Sequence, residues 1–249
     1  MTGKKTTKTG TSESTDDKVI VGTELRLIEK RKHPRFLLTH EQFKETKTGR
    51  IYTVFDLSLN GLAVKVEDRP WKEGAVIQGI LNLNPESIEI TPRLLGYYGD
   101  RAALKLEALS TYSRSVLAKA LSPKRLGSSL KLIREKLPLA DYWFHGVCNT
   151  DLLVRLGQAG EVNKVDLFFA NFYFGWKQAN TTTGICHSFG ADKREPIFIA
   201  DEPVKMESIE INHDHTIDQQ KFDWAVQILE SAIIDSKLKN KILQQLKSN

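Results

Sequence analysis

Apolar and polar positions alternate with a period of two from Phe36 to about Leu109, which predicts β-strands. In IYTVFDLSLNGLAVKVED, Ile51, Thr53, Phe55, Leu57 and Leu59 alternate with polar or smaller residues, and Leu62, Val64 and Val66 alternate after them. Asn60-Gly61 lies between the two runs, and that dipeptide is the strongest short-range hairpin signal. AVIQGILNLN, ESIEITPRLLGYY and RAALKLEAL continue as short apolar runs separated by Gly, Asn and Pro. Many short strands with frequent turns predict a small antiparallel barrel or sandwich. The period changes at residue 111. Val116, Leu117, Ala120 and Leu121 share one helical face, and Leu126, Leu130, Ile133 and Leu137 make a second run. Pro123 and Gly127 interrupt them, so the segment reads as two short helices or a broken one. From 141 to 200 the pattern is β-like again and rich in aromatics. Thr216-Ile-Asp-Gln219 then fits a capping box. It opens a helix with Ala225, Ile228, Leu229, Ala232 and Ile233 as its buried stripe.

These patterns divide the chain into four parts. Residues 1–17 are Thr, Ser, Lys and Gly with almost no apolar content and read as a disordered tail. Residues 18–112 form a β-barrel domain, in which KVIVGTELRLIEK is compatible with a short strand or helix. Pro34 biases His33 away from helix, so RKHPRF enters the barrel as an extended loop. Residues 113–140 are a basic helical connector. Residues 141–249 form a second small α+β domain ending in a helix. The predicted fold class is therefore α+β.

Composition agrees with a folded chain: 40% of the 249 residues are apolar, enough for a core. No apolar stretch is long enough to span a membrane, and the first 18 residues lack the apolar segment of a secretory signal. Two cysteines do not make a disulfide framework, and a reducing cytoplasm is the expected compartment. The charge is uneven. Residues 111–140 carry seven basic side chains and one acidic, whereas 141–249 carry eleven basic and fifteen acidic. Such a basic bridge suits nucleic acid, a membrane surface or the acidic neighbouring domain, although most charge runs are solvated faces.

Two short patterns carry candidate chemistry. Arg31-Lys32-His33-Pro34-Arg35 is an R-x-x-x-R, and Asp56-Leu57-Ser58-Leu59-Asn60-Gly61 is a D-x-S-x-x-G. Each alone is weak; in this order, one before a β domain and one at a hairpin in it, they are more specific. Two arginines on an extended loop present planar forks that grip phosphate or the O6/N7 edge of guanine, and a guanidinium plane stacks on a purine. Asp56 accepts hydrogen bonds from the N–H groups of a guanine edge. Ser58, two residues on, projects from the same strand face. Gly61 permits close backbone approach or a positive φ. The set favours a ligand with anionic phosphates and guanine bases.

The pair of motifs resembles the PilZ domain, a bacterial receptor for cyclic di-GMP, in which R-x-x-x-R is followed some twenty to thirty residues later by D/N-x-S-x-x-G. Here Arg35 and Asp56 are 21 apart. The resemblance covers about residues 28–112. It implies a six-stranded β-barrel with the arginine loop folded over its outer face. It also implies that Arg31 and Arg35 contact phosphate and guanine, that Asp56 and Ser58 bind the guanine edge and nearby phosphate, and that Gly61 shapes the turn. Lys30 stands where many relatives carry a further arginine. Lysine neutralises phosphate without stacking, so whether one nucleotide or a stacked pair binds stays open. The function implied is a cytoplasmic, non-catalytic receptor that passes ligand binding to an unidentified protein partner by loop ordering and domain rearrangement. Two alternatives stand beside it: a PilZ-like interaction scaffold without nucleotide, and a nucleic-acid-binding protein using residues 111–140. Nucleic acid is not the expected partner.

The C-terminal half has no comparable signature. His145, Cys148, Cys186 and His187 offer zinc-type donors. Adjacent Cys186 and His187 would point to opposite faces of a strand, so no metal site is expected. His213-Asp-His215 reads as a polar loop before the last helix. Six of the nine residues from Phe168 to Trp176 are aromatic and are expected to form a buried strand. No P-loop, G-x-G-x-x-G or G-x-S-x-G is present, and neither a catalytic residue nor a cofactor is assigned.

Overall fold

The computed structural model describes residues 19–21, 24–26, 34–38, 40–135, 140–177, 180–191, 197–199, 202–204 and 207–247. The tail predicted over 1–17 lies outside the described residues, as do Lys30 and Arg31. The chain forms two compact units, Met1–Lys32 and His33–Asn249. In the first, β1 (Val19–Val21) and β2 (Glu24–Arg26) make an antiparallel hairpin.

The second unit is mixed α+β. Its first half holds β3 (Phe36–Leu37), β4 (Gln42–Glu45), β5 (Ile51–Ser58), β6 (Gly61–Lys65), β7 (Gly79–Asn82), β8 (Ser87–Ile90), β9 (Arg93–Tyr98) and β10 (Arg101–Lys105). All pair antiparallel, in the order β8-β7-β4-β5-β6-β10-β9, with β3 added against β5. The two ends of that order, β8 and β9, are joined through Thr91-Pro92 alone. Residues 75–77 accompany them there, through Ile77 N–H to the Pro92 carbonyl (2.8 Å) and Leu94 N–H to the Ala75 carbonyl (2.9 Å). The strand pairing therefore runs in a ring. Alternation supplies its lining: Tyr52, Val54, Leu62, Val64, Leu81, Ile88, Leu94, Ala102 and Leu104 are all buried.

Two helices follow. α1 (Thr111–Ala120) is capped by the Ser110 hydroxyl, which accepts from Ser113 N–H, and buries the predicted Val116, Leu117 and Ala120. α2 (Pro123–Ser129) starts at Pro123, so the proline read as an interruption is the first residue of a new helix. The second predicted helical run needs correction. Leu126 and Leu130 are buried, but the helix ends at Ser129 and Ile133 lies in strand β11 (Lys131–Glu135). Leu137 lies outside the described residues. Ser128-Ser129 weakens the helix, and pairing with the next strand fixes residues 131–135 as β.

A curled antiparallel half-barrel completes the unit. Its seven strands are β11, β12 (Tyr142–Gly146), β13 (Thr150–Leu156), β14 (Val162–Phe169), β15 (Phe172–Lys177), β16 (Asn180–Ala191) and, after a small hairpin of β17 (Ile197–Ile199) with β18 (Glu202–Val204), β19 (Glu207–His213). Helix α3 (Gln219–Ser231) packs on it through Phe222 against Phe174, 5.9 Å between rings. α4 (Ser236–Lys247) buries Leu238, Ile242 and Leu246. The α3 stripe holds for Ala225, Ile228, Leu229 and Ala232. Ile233 lies past the helix end and is 75% exposed. The cap is also not Thr216: Asp218 is the N-cap, accepting from Lys221 N–H, because Asp214 and Thr183 already occupy this corner. One hydrophobic core runs without a break from Val54 and Leu57 to Leu152, Phe174 and Ile228. Among the described residues no helix is long and apolar enough to cross a membrane.

Candidate ligand-binding site

Asp56 owes its position to a bulge in β5. Val54 pairs with Val64, but Asp56 pairs with Ala63, so β5 holds one extra residue at Phe55. Before the bulge Tyr52 and Val54 face the core; after it Leu57 does. Asp56 and Ser58 are thereby turned to the outer face. β3 pairs antiparallel beside this end of β5, with Phe36 opposite Leu57 and Leu37 opposite Asp56. This register continues to place Arg35 opposite Ser58 and diagonal to Asp56, within reach of a long side chain. Arg35 Nη1 donates to both carboxylate oxygens of Asp56, at 2.9 and 3.2 Å. Asp56 is only 8% exposed. The ion pair is what lets a carboxylate be buried here. Arg35 keeps 32% of its side chain exposed, so its fork remains reachable from solvent.

Ser58 and Gly61 build the hairpin end. They are the last pair of β5 and β6, so Leu59 and Asn60 occupy the turn centre. The predicted Asn-Gly centre is thus displaced by one residue. Gly61 does not take a positive φ; a Cβ on it would stand 2.8 Å from the Leu104 carbonyl oxygen of β10. Close approach, the first of the two roles considered for this glycine, is the one observed. The Ser58 hydroxyl donates to the Gly61 carbonyl (3.2 Å) and accepts from Asn60 N–H (3.4 Å). Four of the six predicted site residues, Arg35, Asp56, Ser58 and Gly61, thus converge on one hairpin end. Lys30 and Arg31 lie outside the described residues.

The same segment touches the second sheet. Arg35 N–H donates to the Asn171 side-chain carbonyl (3.4 Å), in the two-residue turn between β14 and β15. Phe36 packs on Trp224 of α3 (5.9 Å), and Trp224 stacks on Phe169 (6.3 Å, 12°). No sequence pattern links Asn171 or Trp224 to the arginine motif, because only folding over 130 residues or more brings them to Arg35 and Phe36.

The remaining candidates are structural. His145 Nδ1 is 2.8 Å from Asp151 Oδ1, which also accepts from Trp143 Nε1 at 2.7 Å. Burial pushes both thiols, Cys148 and Cys186, up to about 12. The His187 side chain lies outside the described residues, and among the described ones no cluster of His, Cys, Asp and Glu could hold a metal. Asp214 joins the Lys221 ammonium (2.9 and 2.7 Å) and the Thr183 hydroxyl (2.6 Å). Phe169, Phe172, Tyr173, Phe174 and Trp176 are buried, but the aromatic run is not the single strand predicted: a turn at Ala170-Asn171 divides it between β14 and β15, which pair with each other, and Phe168 is half-buried. Burial and the Asp166 carboxylate hold the Tyr173 phenol well above its ordinary range. In the basic segment, Arg125 Nη1 donates to the Ala120 carbonyl (2.8 Å) at the end of α1, and Lys119 pairs with Glu86 (3.1 Å). No family model matches the chain, and no curated protein matches it.

Proposed function

We propose that this protein is a receptor for cyclic di-GMP of the PilZ kind. It carries no catalytic step, acts in the bacterial cytoplasm and passes ligand binding to a protein partner. The observation that carries the reading is the Arg35–Asp56 ion pair. It joins the second arginine of R-x-x-x-R to the first residue of D-x-S-x-x-G on the outer face of a closed strand ring, with Ser58 and Gly61 completing the hairpin beside it. The ring pairing supports the six-stranded barrel that the resemblance implies.

The chemistry follows from the donors and acceptors. A guanine edge offers N–H groups to the Asp56 carboxylate. Arg35, drawn from that carboxylate, presents its fork to a phosphate or to the O6/N7 edge. The exchange replaces one ion pair by several charge-assisted hydrogen bonds, and the guanine N–H groups keep the buried Asp56 carboxylate satisfied when Arg35 leaves it. Arg31, the other arginine of the motif, and Lys30 would add positive charge to the phosphates. Arg125 is engaged within the fold through the Ala120 carbonyl, which takes one cation from a nucleic-acid surface on residues 111–140.

Calorimetric titration of cyclic di-GMP into the full chain tests this, with Arg35→Ala and Asp56→Ala beside it and GMP and cyclic di-AMP as controls. Saturable binding to the unaltered chain, lost in both variants and absent for the controls, is the expected result. No heat of binding with the unaltered chain at high ligand concentration overturns the proposal and leaves the scaffold reading.

A further inference from the structure

We infer that Arg101, held over the Phe55 ring, is a further ligand-binding residue that stacks on one guanine of the ligand; this rests on the receptor reading above. Phe55 is the extra residue of the β5 bulge and the immediate neighbour of Asp56. Val54 is fully buried, whereas Phe55 is half-buried and takes no part in the core, so its ring lies on the outer face. Arg101 opens β10 two strands away, opposite Lys65 of β6. Its guanidinium carbon lies over the Phe55 ring, 3.3 Å from the ring centre. The side chain is still 44% exposed, so the phenyl ring covers one face of the guanidinium and the side chain keeps open surface. Its ion pair with Asp100 is loose, 3.8 Å to a carboxylate that is itself 61% exposed. Such a pair holds a side chain weakly.

Asp56 pairs with Ala63, and Ala63 with Ala103, so only methyl groups stand on β6 and β10 in that row. Lys65, exposed beside Arg101, adds a second positive charge to the rim. A planar base held at its hydrogen-bonding edge by Asp56 therefore meets a planar cation alongside, already fixed by an aromatic ring. Guanidinium planes stack on purines, and their rigidity lowers the entropy lost on binding. Neither sequence motif contains Arg101 or Phe55.

The test compares the unaltered full chain with Arg101→Gln, Arg101→Lys and Phe55→Leu in cyclic di-GMP titrations. Affinity and the decrease in guanine absorbance that accompanies stacking are both recorded. Thermal unfolding of each variant confirms that it folds. Arg101→Gln and Arg101→Lys are both expected to weaken binding about tenfold. Phe55→Leu, which keeps the charge but removes its support, is expected to lose most of the absorbance change. Wild-type affinity and absorbance change in Arg101→Gln would overturn the assignment and leave the receptor reading standing. Full rescue by Arg101→Lys would show that charge alone acts, and would also overturn it. Absence of binding by the unaltered chain would remove both.

Discussion

Cys148 and Cys186 show how far surroundings change the chemistry of a residue. Both are free thiols, and burial outweighs the nearby Arg125 at Cys148 and Lys221 at Cys186, raising each from 9.0 to about 12. The folded state therefore holds these protons more tightly than the unfolded chain does. Between pH 9 and about 12 the unfolded chain loses them and the folded one keeps them, so the unfolded state binds fewer protons and stability falls as pH rises. The full contribution is present below pH 9. The expected outcome is a urea midpoint that declines across that window, with a shallower decline in Cys148→Ala combined with Cys186→Ala. At neutral pH neither thiol should react with an alkylating reagent until urea unfolds the chain. Rapid alkylation of the native protein would contradict the assignment. Gly61 gives the complementary lesson. Its presence was legible as a hairpin signal, but its reason was not. The glycine is required by the Leu104 carbonyl on a strand more than forty residues away, and the turn centre lies one residue earlier.

Local pattern predicts elements well where neighbours in sequence decide them. The alternation in β6, the stripe of α1 and all of the α3 stripe but Ile233 formed, because each depends on a single face being buried. In β5 the predicted face is the wrong one before the bulge: Ile51 and Leu59 are exposed and Tyr52 and Val54 are buried, and of the predicted set Leu57 alone is buried. The failures lie where two elements compete for the same residues. Leu126, Leu130 and Ile133 are spaced as a helix face, yet β12 captures residues 131–135 by backbone pairing that no local spacing records. The β5 bulge is equally silent in the pattern, although it is what turns Asp56 outward. Gly127 belongs to this scale. It reads as a helix breaker, but it lies inside α2 where that helix crosses α3. A methyl group there would overlap the Ile228 backbone carbonyl and the Ser231 hydroxyl. The hydroxyl can rotate away and the carbonyl cannot. Gly127→Ala gains up to about 1 kcal/mol of helix propensity. It is expected to lose more by forcing the helices apart, for a net destabilisation of about 1–3 kcal/mol. Urea unfolding measures this directly, and a variant as stable as the parent would show that the crossing tolerates a wider spacing.

In the molecule as a whole, the proposed site and the second sheet share residues 35 and 36. Arg35 offers its side chain to Asp56 and its backbone N–H to Asn171, while Phe36 enters the core against Trp224. A ligand that takes Arg35 from Asp56 must therefore act on a segment whose next residue is packed on α3. Binding can shift that packing only by the ligand's differential affinity for the two arrangements, so the shift is coupled to occupancy of the site. Trp224 makes this measurable. It lies between Phe36 at 5.9 Å and Phe169 at 6.3 Å, whereas Trp71 is tied to Glu45 and Tyr97, and Trp143 to Asp151. Saturating cyclic di-GMP is expected to change tryptophan emission, and Trp224→Phe is expected to remove that change while binding persists by calorimetry. An emission change of full size in Trp224→Phe would place the response elsewhere. Unchanged emission in a chain that binds the ligand would mean that the Phe36 packing does not move, and that any signal leaves the site by another route than α3.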